Sequence, residues 1–217
     1  MDTMAVVDYL ARWGHFLFGI TWIGLLYYFN FVQTEYFKEA DGSARTDAFT
    51  KLVPRALWWF RWGAMFTFLT GVIMLGIRGA GVTLDITVGA VLGTLMFLNV
   101  WLIIWPQQKI VIASNEQLKS GGEALPEAAA AAPKAALASR TNTLFSLPML
   151  FFMGSSAHFT QGGLSGSTVP LVVSLVIILA LEVNGIVGKQ GPMTSVRGVV
   201  VSGLVLTAVL WAVLALL

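Results

Sequence analysis

Residues 10–31 read LARWGHFLFGITWIGLLYYFNF, and this stretch decides the fold. Its only charged residue, Arg12, stands at the entrance beside Trp13, and Tyr27 and Tyr28 stand near the exit. A hydrocarbon core about 30 Å thick needs about 20 apolar residues in a helix, and aromatic side chains collect at its two interfaces. The segment therefore reads as a membrane-crossing helix. Met1 to Asp8 before it is acidic and lacks the basic region of a cleavable signal peptide, so the crossing is expected to be retained.

The same pattern recurs along the chain. Trp58-Trp59-Phe60-Arg61-Trp62 opens a second span over about 58–77, and a third covers about 86–105, expected to stop at Pro106. Further spans are expected over about 144–159, 169–187 and 199–217. The fold class is all-α: a polytopic membrane helix bundle of about six transmembrane helices, one membrane domain over 1–217. Between the third and fourth spans lies a cytoplasmic loop, 107–140. In it Gln107 to Lys119 continues as an amphipathic helix, and the Ala-rich part 123–139, with Pro126 and Pro133, reads as a solvated linker or short exposed helix. Composition agrees: 57% of the 217 residues are hydrophobic, 11% are charged and the mean hydropathy is +0.79, whereas a soluble domain carries about a quarter charged residues. The basic residues form no run or stripe, which argues against nucleic acid as a partner. With no cysteine there are no disulfides, iron–sulfur clusters or covalently attached haem.

Charge placement orients the bundle. Eleven of the thirteen Lys and Arg lie in or beside the loops after the first, third and fifth spans; only Arg12 and Arg78 lie on the other side. Positive loops stay cytoplasmic, so both termini are expected outside, in a multi-pass protein of the bacterial inner membrane.

The only two histidines then fall near the same, outer surface: His15 in the first turns of the first span and His158 at the end of the fourth. One helical turn deeper are Gly19 below His15 and Gly154 below His158, with Trp22 on the first stripe. Imidazoles from two helices with small residues beneath them suit a planar macrocycle. A pair would make a six-coordinate haem b fit for electron transfer; a single imidazole would leave an open site for oxygen chemistry. The alternative is that each histidine hydrogen-bonds a serine, a headgroup or a carbonyl, and that the glycines serve helix contacts alone. Met149 and Met153 lie off the His158 stripe and read as packing rather than as soft metal ligands.

Glu182 is the one carboxylate deep within a span, and a buried ionisable group is a functional candidate by default. Asn99 lies at the same inner depth, and Arg61 and Arg140 start their spans from that side. A Glu182–Arg61 or Glu182–Arg140 pair is expected, as a structural clamp or as part of a proton or substrate path. Arg12 and Asp8, four residues apart, are expected to form an exposed pair. Asp85 reads as a helix N-cap. No Ser/His/Asp arrangement, P-loop or Rossmann glycine pattern is present.

Several stretches resemble a known family. Arg12-Trp13-Gly14-His15 through Gly19-Ile20-Thr21-Trp22-Ile23-Gly24 is similar to the first helix of the membrane domain of PuuD-type urate hydroxylases, the urate oxidase N-terminal family. Trp58 to Trp62, Asn99-Val100-Trp101 through Ile104-Trp105-Pro106-Gln107-Gln108-Lys109, Ser139 to Thr143 with Leu147-Pro148, and Ser156-Ala157-His158-Phe159 are similar as well. A looser likeness, His15 with Trp22 and Gly24, extends to the haem-binding protoporphyrinogen oxidase family and to copper-resistance membrane proteins. The resemblance implies an inner-membrane oxidoreductase of purine catabolism, converting urate to 5-hydroxyisourate with electrons leaving through a cytochrome c. Full-length members carry a cytochrome c domain after the membrane part; this chain stops at Leu217 without a cysteine, so its electrons would need another acceptor. For an anionic purine, Arg61, Asn99 and Asn142 are the available groups. A second class of function is a non-catalytic accessory or scaffold subunit of a larger membrane complex, which stoichiometric co-purification would reveal.

Overall fold

Apolar runs separated by short capped turns leave the backbone one way to satisfy its polar groups in lipid, the helix. A computed structural model describes residues 2–166 and 168–217. Among them lie seven continuous helices: α1 (Thr3–Glu39), α2 (Gly42–Lys51), α3 (Val53–Gly81), α4 (Leu84–Lys119), α5 (Ala128–His158), α6 (Val169–Val187) and α7 (Val196–Leu216). Their starts are local chemistry. The Asp2 carboxylate accepts from the Met4 amide at 3.0 Å, the Thr83 hydroxyl from Ile86 at 3.2 Å and the Ser195 hydroxyl from Gly198 at 3.0 Å. Pro54 and Pro170 sit in the first turns of α3 and α6, where no amide proton is needed. The α-helical part of α3 gives way to a final 3-10 turn at Gly79, whose φ of +51° suits a residue without Cβ.

Five of these helices (α1, α3, α4, α6 and α7) are long and apolar enough to cross a membrane. α1, α3 and α4 run past the expected boundaries, α1 by about two turns toward its C-terminus, while α6 keeps the expected bounds. The expected fourth crossing, 144–159, is the second half of the longer α5. That helix packs on α1, α4, α6 and α7, and its polar stripe of Arg140, Thr141, Asn142, Thr143 and Ser146 is buried. A helix enclosed by other helices meets protein rather than lipid, so its hydropathy can be low. On α6, Val172, Val176, Leu179, Val183 and Ile186 form an exposed apolar stripe at helical spacing, the face such a bundle turns to lipid.

The helix runs on past Pro106 to Lys119, as expected of the amphipathic stretch, and does so through a π-helical turn at Asn99–Ile104. Proline lacks an amide proton and its ring collides with the carbonyl four residues back; the wider turn just before it relieves both. The Ala-rich segment is helical rather than a linker, and most of it stays exposed. From Ala128 it forms the first turns of α5, and Ala131, Ala135 and Ala138 are buried, because methyl side chains allow the helix to approach its neighbours closely. The polar end of the bundle is tied further by Lys119, which donates to Thr50 of α2 at 3.1 Å and lies 3.9 Å from Asp47. Lys51 beside Asp47 holds that exposed carboxyl below the usual carboxylate range.

α1 packs chiefly on α3, and α5 on α4 and α7. Glycine permits the closest approaches. A Cβ on Gly63 would lie 3.2 Å from the Trp22 amide nitrogen, and one on Gly89 would lie 3.2 Å from that of Met153. The two groups are joined at one level by Tyr27 to Ser146 at 2.9 Å and by Asn30, which donates to Ser139 at 2.8 Å. Toward the other end they separate. Phe159 stacks on Trp211 of α7 with centroids 6.3 Å apart, so both chain ends lie at the end of the bundle that carries His15 and His158.

Candidate functional site

Where the α1–α3 pair parts from α4 and α5, a cavity of about 620 Å³ opens. Small-molecule sites span roughly 300–1,000 Å³. His15, Gly19 and Trp22 line it from α1, and Gly154 and His158 from α5, so all five residues expected to surround a cofactor face one space. Met149 and Met153 also line it, with Met149 almost fully buried.

His15 is held from α3. Thr70 Oγ1 donates to the Phe66 carbonyl at 2.6 Å, with Thr67 O at 3.0 Å. Thr70 Oγ1 lies 3.2 Å from His15 Nδ1 and, with its own proton on a helix carbonyl, is placed to accept Nδ1–H. An imidazole that donates from Nδ1 keeps its Nε2 lone pair for another partner, the arrangement usual for a metal-ligating histidine. Gly71 makes room for the ring, since a Cβ there would lie 3.3 Å from His15 Cε1. His158, in the last turn of α5, makes no hydrogen bond to any described residue. A Cβ on Gly154 or Gly24 would meet nothing within 4 Å, and one on Gly19 only Thr67 at 3.9 Å, so the clearance below the imidazoles is real space.

Two lining groups carry unused donors. Trp22 is 2% exposed, and its Nε1 has no hydrogen-bond partner. Arg78, at the end of α3, has a shielded Nη1 without a partner, whereas Arg12 is engaged by Asp8 at 2.9 Å, the exposed pair expected from their spacing. Thr70 does not stand out in the sequence, and Arg78 does so only as one of two basic residues expected on the outer side. One is a span-terminal arginine and the other one hydroxyl among many; only the pairing of α1 with α3 brings them to His15.

Asp85 is more than a cap. Thr83 is the N-cap, and the fully buried Asp85 accepts from Ser155 Oγ at 2.7 Å, Thr160 Oγ1 at 3.1 Å and the Gln161 amide at 2.7 Å. It fastens the start of α4 to the end of α5, beside His158.

The deep polar residues form a separate cluster. Asn99 Nδ2 donates to Asn142 Oδ1 at 2.9 Å and to Glu182 Oε2 at 3.2 Å, while Asn142 Nδ2 donates to the Met96 carbonyl at 2.9 Å. The expected ion pair is not formed: among the described residues Glu182 meets neither Arg61 nor Arg140. An amide already satisfies the carboxylate, and Arg61 instead lies 3.7 Å over the Trp105 ring. Arg140, 4% exposed, keeps Nη1 without a partner. Arg61, Asn99 and Asn142 do not line the histidine cavity.

Among the described residues no three His, Cys, Asp or Glu side chains are grouped as a bare metal-ion site requires. The cavity therefore offers imidazole nitrogen singly or as a pair, which is what a macrocycle-bound iron needs from a protein.

The class these features define is a helical membrane protein with a largely apolar cavity between helix pairs, lined by its only two histidines. A family model described as urate oxidase N-terminal matches residues 79–215, and the chain belongs to that family. The match takes in α4 to α7 with His158, including the last two helices, which resembled the family only by hydropathy; His15 and its motif precede it. No curated protein and no solved structure matches the chain.

Proposed function

We propose that this protein is an inner-membrane redox protein that holds haem b between His15 and His158 and passes electrons to a cytochrome c. The observation that carries the reading is the shared cavity: the two histidines, far apart in sequence, line one space with Gly19, Trp22 and Gly154. The residues fit the group. A haem ligated on both faces would take two imidazoles, a slot free of side chains beneath them and apolar walls; His15 and His158 would supply the imidazoles, Gly19 and Gly154 leave the slot, and Phe16, Ile20 and Leu150 supply apolar wall. Haem b, when bound, supplies one-electron redox chemistry. The chain's part is to orient His15 through Thr70 and hold the site at one end of the bundle, within reach of an acceptor outside the membrane. The family extends the reading to oxidation of urate or a related purine, with cytochrome c as acceptor and the bacterial inner membrane as location.

Protein purified from haem-replete cells is expected to show a Soret band and haem b near one per chain by pyridine haemochrome. His15→Ala and His158→Ala should each reduce or reshape that band. A colourless preparation would contradict the proposal. Colour unaffected by either substitution would do the same.

A further inference from the structure

We infer that Arg78 is the docking point for carboxylate groups of the cavity's ligand, so that a dicarboxylic porphyrin sits with its acid edge at the histidine end of the bundle. The inference rests on the haem reading for the identity of the ligand, but on separate residues for its argument.

No acidic side chain lines the cavity, and its two full cations are Arg12 and Arg78. They differ in what they already hold. Both Nε and Nη2 of Arg12 are bound to the Asp8 carboxylate, at 2.9 and 3.1 Å. Arg78 forms no ion pair or hydrogen bond with any described residue, and its Nη1 is shielded from solvent. A guanidinium left unpaired next to a hydrocarbon phase is costly, and such groups in membrane proteins mark ligand sites or find counter-ions. The planar fork of Arg matches a carboxylate in two-point geometry.

Position favours the ligand as that counter-ion. Arg78 closes the last turn of α3, two turns beyond Thr70 and Gly71, which hold and accommodate the His15 ring. Deeper in the cavity the walls are apolar, with Phe68, Leu75, Ile86 and Met149 among them. The complement of this lining is an amphiphile with an apolar body inside and an anionic edge toward the end of the bundle. Arg12 can join by exchanging its exposed Asp8 partner, a surface pair of small worth.

The test uses full-length protein from haem-depleted cells, in detergent, titrated with iron protoporphyrin IX and with metal-free protoporphyrin IX. Each is supplied as the free diacid and as the dimethyl ester, and binding is followed by absorbance and fluorescence. Wild type is expected to bind both diacids about tenfold or more tighter than their esters, the scale of one charged hydrogen bond. Arg78→Gln should erase the preference, and Arg78→Lys should keep part of it. Esters bound as tightly as diacids, or a preference unchanged in Arg78→Gln, would overturn the inference. Because the metal-free arm needs no iron ligand, the two readings fail separately: discrimination by Arg78 without dependence on His15 or His158 removes ligation and keeps the carboxylate site. Protein that binds none of the four removes both.

Discussion

At the scale of single residues, one hydroxyl sets one imidazole. With its proton on its own helix, Thr70 is placed to accept Nδ1–H of His15. Hydrogen-bond partners of metal-bound histidines are worth about 10–100-fold in affinity. Thr70→Val should therefore weaken haem retention by about that factor, measured by transfer of haem to an apo-globin acceptor. Thr70→Ser should restore it, with thermal unfolding similar in all three proteins. Retention unchanged in Thr70→Val would remove Thr70 from the site. Sequence alone could find His15, His158, Gly19, Gly154 and Trp22, because each histidine and its small neighbour lie one turn apart on the same helix. Arg78, Thr70 and Gly71 were not legible there: they act across a helix–helix contact, and no local spacing specifies which face of α3 meets α1. Glu182 was rightly singled out as a buried acid but paired with the wrong partners. Arginine is the expected counter-ion on charge grounds, while the amide of Asn99 was already at hand.

At the scale of elements, close helix approach replaces the hydrophobic effect as the organising contact, as expected where lipid is as apolar as the core. Gly89 of α4 lies against the backbone of α5, which cannot move aside as a side chain can. Gly89→Ala should cost about 1–3 kcal/mol, the range for overpacking, read as a lowered thermal midpoint in detergent. Gly76→Ala, where a Cβ meets nothing within 4 Å, should be neutral or stabilising through helix propensity. Equal effects at the two positions would show that the α4–α5 contact is looser than described. The apolar helices were legible because length and hydropathy are properties of one segment. The first turns of α5 were legible only as one of two choices, since an Ala-rich stretch with two prolines suits a linker as well as a half-exposed helix. Helix beyond Pro106 was expected, but the π turn that carries it leaves no mark in composition.

At the scale of the whole molecule, an α1–α3 pair and a group centred on α5 join at one end and part at the other, and the cavity occupies the parting. We propose from the positive loops that the joined end faces the cytoplasm. The chain has no cysteine, so single substitutions test this cleanly. Ser165→Cys, in the loop after α5, should react with a membrane-impermeant maleimide in intact spheroplasts, and Ser120→Cys, after α4, only once the membrane is opened. Labelling of both from the same side would contradict the orientation. The central claim is that the two histidines hold haem iron between them, and carbon monoxide tests it most directly. Dithionite-reduced wild-type protein should have no open iron position, so its spectrum should not change under carbon monoxide. His15→Ala and His158→Ala should each bind the gas with a shifted Soret band. Ready carbon monoxide binding by the wild type, or a variant whose spectrum stays that of the wild type, would contradict the account.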